Sequence, residues 1–395
     1  MRILHVITGL DLGGAEMMLY RVIRGSEGGD RSRQEVVSLT ERGVIGRRIE
    51  QLGVKVHALN MSRLPNPLKV MRLAELIRAA RPDVVQTWMY HADLIGGVAA
   101  RLAGRARVVW GIHNSTLDAT TSHRTTRWTV AVCARLSRIV PDAIVSVSAA
   151  ARDLHVELGY DPRKFVVIPN GFDVREYRSD PEQRRETRRQ LGVEDETVLV
   201  GLVARVAPQK DHGNFVRAAG LLGRRRRDVR FVLCGGAGVA GGEGATPENR
   251  ELVRLIEQQG LLDRFLLLGP RDDVPRIMNA LDIGTLSSSY GEAFPLVIGE
   301  AMACGVPCVV SDVGDSRYLV GDTGRVVPPR DPEALAQAWQ DLLELGSAGR
   351  RRLGQAARER VESQFSLSRI MAEYTSLYHR LLNGAGGSPA AAAST

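Results

Sequence analysis

The sequence of 395 residues is poor in cysteine and in aromatic side chains, and it contains no long apolar run. Its four cysteines form no C-x-x-C pair and have no histidine cluster beside them. This pattern argues against a disulfide framework or a zinc site and predicts buried thiols. Because no stretch of about 18 consecutive residues is apolar, no membrane-spanning helix is predicted.

The apolar start of the chain, from Met1 to Ile7, is short and runs directly into a glycine-rich turn without a cleavage-like site. It therefore predicts a first buried strand instead of a signal peptide. We expect a cytoplasmic protein. A peripheral position at the inner face of the membrane is compatible with this expectation.

Acidic residues are in deficit only in the first half of the chain. Residues 1–175 contain 25 Lys and Arg against 16 Asp and Glu, a balance of +9, whereas the remainder contains 28 against 29, a balance of −1. A basic face can attract an anionic membrane surface, an anionic acceptor or nucleic acid. The alternative is an arginine-rich composition whose side chains are only solvated. Of these partners we retain the anionic membrane surface and the acceptor, and expect no nucleic acid.

Short apolar runs alternate with amphipathic stretches along the whole chain, such as the helical pattern over Leu68–Ala80. Continuous apolar strands interleaved with helices indicate parallel sheets covered on both faces, and hence an α/β fold. The predicted strands are Ile3–Ile7, Val36–Leu39, Val84–Gln86, Val108–Gly111, Ala143–Val147 and Phe165–Ile168 in the first half, and Val198–Val203, Arg230–Cys234, Phe265–Leu268, Ile283–Leu286, Cys308–Ser311 and Gly324–Val326 in the second.

The two series of strands predict two facing Rossmann-like domains with a ligand-binding cleft between them. The turn at residues 168–171 is the expected joint. We therefore place an N-terminal domain over residues 1–172 and a C-terminal domain over residues 173–366. Residues 384–395 are mostly Gly, Ala and Ser, a composition that predicts a disordered tail.

The most informative segment, Ser289–Pro307, carries two glutamates. It follows a predicted strand, and Pro295 fits the first position of the helix that comes next. A helix N-terminus presents unpaired N–H groups and partial positive charge, so this one can hold a diphosphate. Glu300 shares a face with Leu296 and could take ribose hydroxyls, while Glu292 could reach a sugar. Taken alone, each glutamate favours the interpretation of a structural residue that balances the helix dipole, and only the two together indicate a ligand site.

This segment resembles the retaining glycosyltransferases of family 4 type, which have two facing Rossmann domains (the GT-B fold). The E-x7-E motif of that family matches Glu292 and Glu300, and its helix continuation matches residues 300–307. The resemblance covers about residues 1–382. It implies that the C-terminal domain binds a nucleotide sugar, and that a C-terminal helix over about residues 367–383 crosses back to the N-terminal domain.

The resemblance also assigns roles around the donor. The backbone of Phe294, Pro295, Leu296 and Val297 would hold the diphosphate, with Glu300 on the ribose and Glu292 orienting the sugar.

Two cations follow the first strand of the second half. Arg205 lies at the predicted strand end, and Lys210 lies near the start of the next helix. Two cations at such a position can neutralise a diphosphate leaving group, and the family uses an Arg and a Lys in this way. The alternative is a pair of surface cations.

The first strand leads into a loop that contains Gly13 and Gly14. In the family this glycine pair lets the backbone approach the sugar nucleotide closely. The loop lacks the G-x-G-x-x-G spacing that an oxidoreductase would need there.

Two histidines follow strands of the first half. The family places an active-site histidine at the position of His113, where it contacts the donor sugar. His91, together with Trp88 and Tyr90, would line the acceptor side. The alternative for each histidine is a polar loop residue.

No D-x-D triplet, with which metal-dependent transferases of the other main fold hold Mn²⁺ or Mg²⁺, occurs in the sequence, so we expect no metal ion. We also expect no cofactor beyond the nucleotide sugar itself. UDP is the favoured nucleotide, and GDP is the alternative. The acceptor would be a lipid-linked saccharide or polysaccharide precursor, or a small soluble molecule. The alternatives are a nucleotide-sugar epimerase or a phosphorylase-like enzyme of the same fold, and a non-catalytic sugar-nucleotide-binding protein.

Overall fold

The structure is a computed structural model that describes residues 1–26, 28–61, 66–104, 106–117, 123–235 and 246–384. The chain divides into two compact units, one formed by Met1–Gly171 with Leu367–Thr395 and the other by Phe172–Ser366. Apart from Gly384, the tail for which disorder is predicted lies outside the described residues.

The first unit contains a seven-stranded parallel sheet. Its strands are β1 Ile3–Ile7, β2 Gln34–Ser38, β3 Lys55–Ala58, β4 Val84–Trp88, β5 Arg107–Ile112, β6 Ala143–Ser146 and β7 Phe165–Val167. Its helices are α1 Gly14–Gly25, α2 Gly28–Arg31, α3 Gly43–Gln51, α4 Pro67–Ala80, α5 Tyr90–Ala103, α6 Arg124–Leu136 and α7 Ala149–Glu157, with α16 Leu367–Leu382 from the C-terminal part of the chain.

The strand order of this sheet is β3-β2-β1-β4-β5-β6-β7, so the order reverses between β1 and β4. Because crossovers between parallel strands are right-handed, this reversal places the helices on both faces of the sheet. The helices α4, α5 and α6 pack side by side, while α1 packs against α3 and α16.

The second unit contains a six-stranded parallel sheet in the order β10-β9-β8-β11-β12-β13. Its strands are β8 Val198–Val203, β9 Val229–Cys234, β10 Phe265–Gly269, β11 Ile283–Leu286, β12 Cys308–Ser311 and β13 Gly324–Val327. Its helices are α8 Pro181–Gln190, α9 His212–Gly223, α10 Pro247–Gln258, α11 Val274–Ala280, α12 Leu296–Ala303, α13 Ser316–Val320, α14 Pro332–Glu344 and α15 Gly346–Gln364.

Each unit has its own apolar core between sheet and helices, as parallel sheets require. The C-terminal helix α16 belongs to the core of the first unit, where the ring of Tyr374 stacks near Trp88 and the hydroxyl of Tyr378 donates to Gln86. The predicted architecture of two Rossmann-like domains is confirmed, and all four cysteines are buried and free.

Strand β3 is the one strand of the described sheets that the apolar pattern does not predict. Its sequence, from Lys55 to Ala58, contains Lys55 and His57 beside only two apolar residues. It lies at the edge of the sheet, next to β2 alone, and an edge strand needs less apolar cover than a central one. In the part of the chain that the structure describes, no helix combines the length and the apolar character needed to span a membrane.

Candidate functional site

The polar centre of the second unit is an ion pair between the loop after β8 and the loop after β11. The Nζ of Lys210 donates to Oε1 of Glu292 at 2.5 Å, and the Oγ of Ser288 donates to the same oxygen at 2.6 Å. Glu292 is only 7% exposed. Because a buried carboxylate is stable only when it is paired and hydrogen-bonded, Lys210 and Ser288 fix the position of Glu292.

Serine hydroxyls connect the strand-end loops around this pair. Ser287 donates through Oγ to the carbonyl oxygen of Lys210 at 2.8 Å, which ties the loop after β11 to the loop after β8. Ser311, at the end of β12, donates through Oγ to the carbonyl oxygen of Ser288 at 2.6 Å. Sequence reasoning gave these serines no role, although the run Ser287 to Ser289 directly after a strand is a usable signal.

Gly314 allows the loop after β12 to approach the loop that carries Glu292. Its φ of +57° lies in the left-handed region, and a Cβ at this position would overlap the carbonyl oxygen of Glu292. The N–H of Asp315 donates to the carbonyl oxygen of Ala293 at 3.0 Å. A glycine is needed here for both its conformation and its size, so three strand-end loops together position Glu292.

The helix after Glu292 begins at Leu296, and Pro295 is its N-cap with φ −73° and ψ 112°. The prediction that Pro295 is the first helical residue is wrong by one position, because its ψ lies in the extended region. Among the described residues no side chain caps α12, so the N–H groups of Leu296 and Val297 remain at an uncapped helix start. Such a start, with the positive end of the helix dipole, suits a phosphate group.

The ring of Phe294 is buried against two other phenylalanine rings. It stacks with Phe172, with 6.2 Å between ring centroids, and meets Phe365 edge-on at 5.4 Å. Gly299 of α12 lies so close to Phe172 that a Cβ there would overlap the ring. Any contact of Phe294 with a ligand would therefore be made by its backbone, while its ring anchors the start of α12.

Glu300 lies in the second turn of α12 and is buried. Burial raises the pKa of the neighbouring Cys304 thiol to about 12, and the charge of Glu300 acts in the same direction. Glu300 thus belongs to the same helix whose start is uncapped. The predicted contact of Glu300 with a ribose stays a prediction.

Arg205 lies two residues after the end of β8 and is exposed. Among the described residues its guanidinium forms no hydrogen bond or ion pair, in contrast with Lys210, which Glu292 holds. An exposed and unpaired cation can meet an anion without first breaking an internal ion pair. Arg205 and Lys210 therefore differ in how they could contribute, Arg205 as an exposed, unpaired cation and Lys210 as a cation that Glu292 holds in place.

The buried imidazole of His212 follows this segment at the start of α9, and sequence reasoning missed it. Burial lowers the pKa of His212 to about 4, with the nearby Lys210 charge acting in the same direction. A neutral ring beside Lys210 avoids a second buried positive charge at this edge of the sheet.

In the first unit, His113 directly follows β5, and its ring stacks on Trp88 with 5.0 Å between centroids and an interplanar angle of 22°. Burial lowers the pKa of His113 to about 4, so the ring is neutral at neutral pH. Its Nε2 is buried without a hydrogen-bond partner among the described residues. A neutral imidazole of this kind can donate or accept one hydrogen bond, depending on its tautomer.

The buried carboxyl group of Asp93, in α5, connects the ends of β4 and β5. Sequence reasoning missed this residue. The Oγ1 of Thr87 donates to Oδ1 of Asp93 at 2.5 Å, and the N–H of Gly111 donates to the same oxygen at 3.2 Å. Burial raises the pKa of Asp93 to about 8. The carboxyl group thereby fixes the two strand ends that carry Trp88 and His113.

The expectation that Trp88 and Tyr90 line an acceptor-binding surface is corrected by their burial. Trp88 is 1% exposed and donates through Nε1 to Nδ1 of His5 at 3.3 Å, while Tyr90 is 3% exposed and its hydroxyl is hydrogen-bonded to His155 at 3.0 Å. Both rings are enclosed by packing within the first unit. His91, in the first turn of α5, is half-buried, and burial lowers its pKa.

Gly13 and Gly14 lie where β1 leads into α1. Gly13 is the N-cap of the helix with φ −156°, an extended conformation that any residue adopts, and Gly14 is the first helical residue. A Cβ on Gly13 would overlap the carboxylate of Glu16. In this structure the carboxylate of Glu16 takes the space that the glycine leaves, and the predicted approach of a sugar nucleotide stays a prediction.

The described residues contain no group of three or more His, Cys, Asp or Glu side chains that could hold a metal ion. What the second unit does offer is a fixed lysine, an exposed arginine and an uncapped helix start. Each of these can stabilise a developing negative charge.

Two models of protein families match the chain, and together they span most of it. The family model described as Glycosyltransferase Family 4 matches residues 12–176, and the one described as Glycosyl transferases group 1 matches residues 183–360.

Among individual proteins, EpsF of Bacillus subtilis (strain 168) is 29% identical over 320 residues, 79% of this chain and 79% of that protein. The UDP-Gal:alpha-D-GlcNAc-diphosphoundecaprenol alpha-1,3-galactosyltransferase of Escherichia coli is 27% identical over 267 residues, 66% of each chain. Among solved structures, HepE of Anabaena in complex with UDP and glucose has a TM-score of 0.82 at 24% identity, over 96% of this chain and 99% of that one. At this identity the structural match shows the fold.

Proposed function

This chain belongs to the group 1 glycosyltransferases of family 4, and from that premise we propose that it transfers a hexose from UDP to an acceptor hydroxyl with retention of the anomeric configuration. The observation that carries the proposal is the part-buried Lys210–Glu292 pair beside the uncapped start of α12. It combines a fixed cation for a diphosphate with a fixed carboxylate for sugar hydroxyls.

UDP is favoured as the nucleotide by the names of the similar proteins. The Escherichia coli relative is named for UDP-galactose, and the Anabaena structure holds UDP and glucose. In the proposed complex, Lys210, Arg205 and the N–H groups at the start of α12 hold the diphosphate, Glu300 holds the ribose, and Glu292 orients the hexose. GDP is the alternative nucleotide.

The proposed reaction breaks the bond between the sugar C1 and the diphosphate oxygen and forms a bond from C1 to the acceptor oxygen on the same face. The acceptor proton passes to the leaving phosphate oxygen. A double displacement would need a carboxylate nucleophile at C1, whereas Glu292 is already held by Lys210 and Ser288. The carboxylate therefore orients the sugar, and stabilisation of the leaving diphosphate accelerates the reaction.

We propose that no metal ion takes part, because the cations and helix N–H groups of the second unit can stabilise the leaving diphosphate themselves. The test is turnover in the presence of EDTA. Unchanged turnover agrees with the proposal, and loss of turnover that Mn²⁺ restores would overturn it.

For the acceptor we propose a lipid-linked saccharide or a polysaccharide precursor, which would meet the first unit near His113, His91 and the Gly13–Gly14 turn. The name of the Escherichia coli relative, which specifies a diphosphoundecaprenol-linked sugar, supports this class. A small soluble acceptor is the alternative, and the basic balance of residues 1–175 favours the lipid-linked one.

A thermal-shift screen of nucleotide sugars tests the donor. A donor that binds the folded chain raises its melting temperature by mass action, so we expect a rise with UDP and UDP-hexoses and a smaller one with GDP and GDP-mannose. A larger rise with the GDP compounds would overturn the choice of UDP. Incubation of the best donor without acceptor separates a transferase, which leaves most of it intact, from an epimerase, which converts it.

A further inference from the structure

We propose that the exposed face of helix α6 in the first unit docks on an anionic lipid bilayer. This α6 face comprises the exposed side chains of the helix and of the residues that follow it: Arg124, Arg127, Trp128, Arg135, Arg138 and Ile139. The proposal rests on the proposed function for its purpose, because it brings the acceptor-side unit to the surface where a lipid-linked acceptor lies.

The exposed side chains of α6 form one stripe along the helix. Arg124, Trp128, Ala131 and Arg135 are separated by three or four residues, so they point to the same side, and all four are exposed. The opposite side, which includes Val130 and Cys133, is buried, and α6 packs there against α5. The stripe is therefore the outer surface of the helix layer, roughly 20 Å long.

The segment that forms this face is basic and contains no acidic residue of its own. From His123 to Val140 the sequence contains four arginines and no Asp or Glu. None of these arginines forms an ion pair within the described part of the chain, whereas nearby Arg101 and Arg107 both pair with Asp142. Unpaired guanidinium groups on one face are available to the phosphate groups of a lipid headgroup layer.

The same face carries large apolar side chains that the fold leaves in water. Trp128 is 60% exposed and Ile139 is 71% exposed. At the far end of the helix, the Nε of Arg101 donates to the carbonyl oxygen of Val140 at 2.7 Å, so the end of α5 lies beside the end of α6. Leu102, the next-to-last residue of α5, is 53% exposed. Exposed apolar side chains thus occur within the basic stripe, at Trp128, and at its C-terminal end, at Ile139 and Leu102.

An interfacial tryptophan between arginines suits a lipid surface better than a purely polar polyanion. The indole ring can enter the boundary between headgroups and acyl chains, and arginine side chains can keep their charge at the phosphates while their stems cover apolar area. A nucleic acid would use the arginines but would leave Ile139 and Leu102 exposed to water. The combination of charge and apolar exposure therefore selects the anionic bilayer.

The test is binding of the full chain to vesicles of equimolar phosphatidylglycerol and phosphatidylcholine, compared with vesicles of phosphatidylcholine alone, by sedimentation. We expect binding to the anionic vesicles that weakens as salt is added, since charge is screened. Reversal of two charges in the Arg127→Glu/Arg135→Glu variant should lower the partition coefficient roughly a hundredfold or more. Trp128→Ala should lower it about tenfold.

The matched control is the Arg47→Glu/Arg380→Glu variant, which has the same change in net charge. Arg47 lies on α3 and Arg380 on α16, and both are exposed. These helices belong to the group that packs around α1, away from α6. If the control loses as much vesicle binding as the α6 variant, or if Trp128→Ala binds as well as the wild type, docking by the α6 face is excluded.

The vesicle experiment uses no sugar donor, so its outcome is independent of the transferase activity. Stabilisation of the α6 variant by UDP should equal that of the wild type. Binding of single-stranded DNA with equal or greater affinity than the anionic vesicles, and competition between the two, would identify a nucleic-acid surface and overturn the proposal. Dimerisation that buries Trp128, seen as concentration-dependent sedimentation lost in Trp128→Ala, would also overturn it.

Discussion

Lys210 and Glu292 depend on one another, because removal of either leaves the other charge poorly solvated. Their contact is supplemented by Ser288, which donates to the same carboxylate oxygen. A change in activity on loss of Lys210 could therefore arise from lost charge at the diphosphate or from a displaced Glu292. Variants that separate these two effects are needed to assign the role.

We expect Lys210→Ala to lower turnover by about 10²-fold or more, because a fixed cation at the leaving group is lost. The same change should lower the free energy of unfolding by up to about 3–5 kcal/mol, because Glu292 loses its partner. Turnover can be measured as UDP formed, and stability by thermal melting. Arg227→Ala removes an exposed cation of the same unit beyond the end of α9 and is the control, with turnover and stability near wild type.

The double variant Lys210→Met/Glu292→Gln replaces the part-buried ion pair by neutral groups of similar size. Such replacements are often neutral for stability, so its melting temperature should return toward that of the wild type while its turnover stays low. Recovery of turnover together with stability would show that Lys210 acts only by supporting the fold.

His113 should act as a neutral ring. Its pKa is lowered by burial to about 4, so the profile of kcat/KM against pH should show no inflection from this residue near 6.5, the ordinary value for histidine. His113→Gln, which keeps a hydrogen-bonding group, should retain more activity than His113→Ala. An inflection near 6.5 that disappears in His113→Gln would contradict a neutral role.

Among the elements, the loop after β12 has the most sharply defined steric requirement, because Gly314 touches the backbone of Glu292. We expect Gly314→Ala to lower the melting temperature and to raise KM for the donor, since both its φ of +57° and the overlap with the Glu292 carbonyl oppose a Cβ. Gly346→Ala is the control, because Gly346 has φ +65° but no neighbour within 4 Å of the added Cβ. Equal effects of the two changes would show that the contact with Glu292 is unimportant.

The apolar pattern predicts elements well where a strand is buried on both faces, as for β1, β8, β11 and β12, whose bounds agree with the structure. It fails for β3, where an edge position permits Lys55 and His57 within the strand. Pro295 illustrates a different limit: proline is compatible with both the N-cap and the first helical position, and only the observed ψ of 112° decides between them.

Side-chain surroundings were the least predictable part of the site. Trp88 and Tyr90 follow a strand end, as ligand-binding residues often do, yet their rings turn into the first unit and pack on His5 and His155. Asp93 could not be recognised, because its hydrogen bonds come from Thr87 and Gly111, which only the fold brings to it. Spacing along the chain locates a residue on an edge but does not define which way its side chain turns.

For the whole molecule, buried histidines make stability depend on pH. Burial lowers the pKa of each of His5, His113, His155 and His212 to about 4. Below pH 6.5, their ordinary pKa, these histidines bind protons in the unfolded chain but not in the folded chain. Their contribution to the free energy of unfolding is therefore complete above pH 6.5 and is lost as the pH falls toward 4.

Asp93 acts with the opposite sign, since its raised pKa of about 8 makes the folded chain the better proton acceptor below that value. One carboxyl group is outweighed by four histidines between pH 4 and 6.5, so the melting temperature should rise with pH over that range and fall slightly from 6.5 to 8. Thermal melting across this range is the measurement. A melting temperature that rises on acidification from 6.5 would contradict the contribution of the histidines.

We propose that the second unit binds a UDP-hexose through Lys210 and Glu292 and that the chain transfers the hexose. The most direct test compares wild type with Lys210→Met/Glu292→Gln, using a UDP-hexose selected by thermal shift and a polyprenyl-diphosphate-linked saccharide as acceptor. UDP formed and glycosylated lipid are measured together. We expect the wild type to form both in equal amounts, and the variant to form neither while melting close to the wild type. Equal turnover by the two proteins would contradict the account.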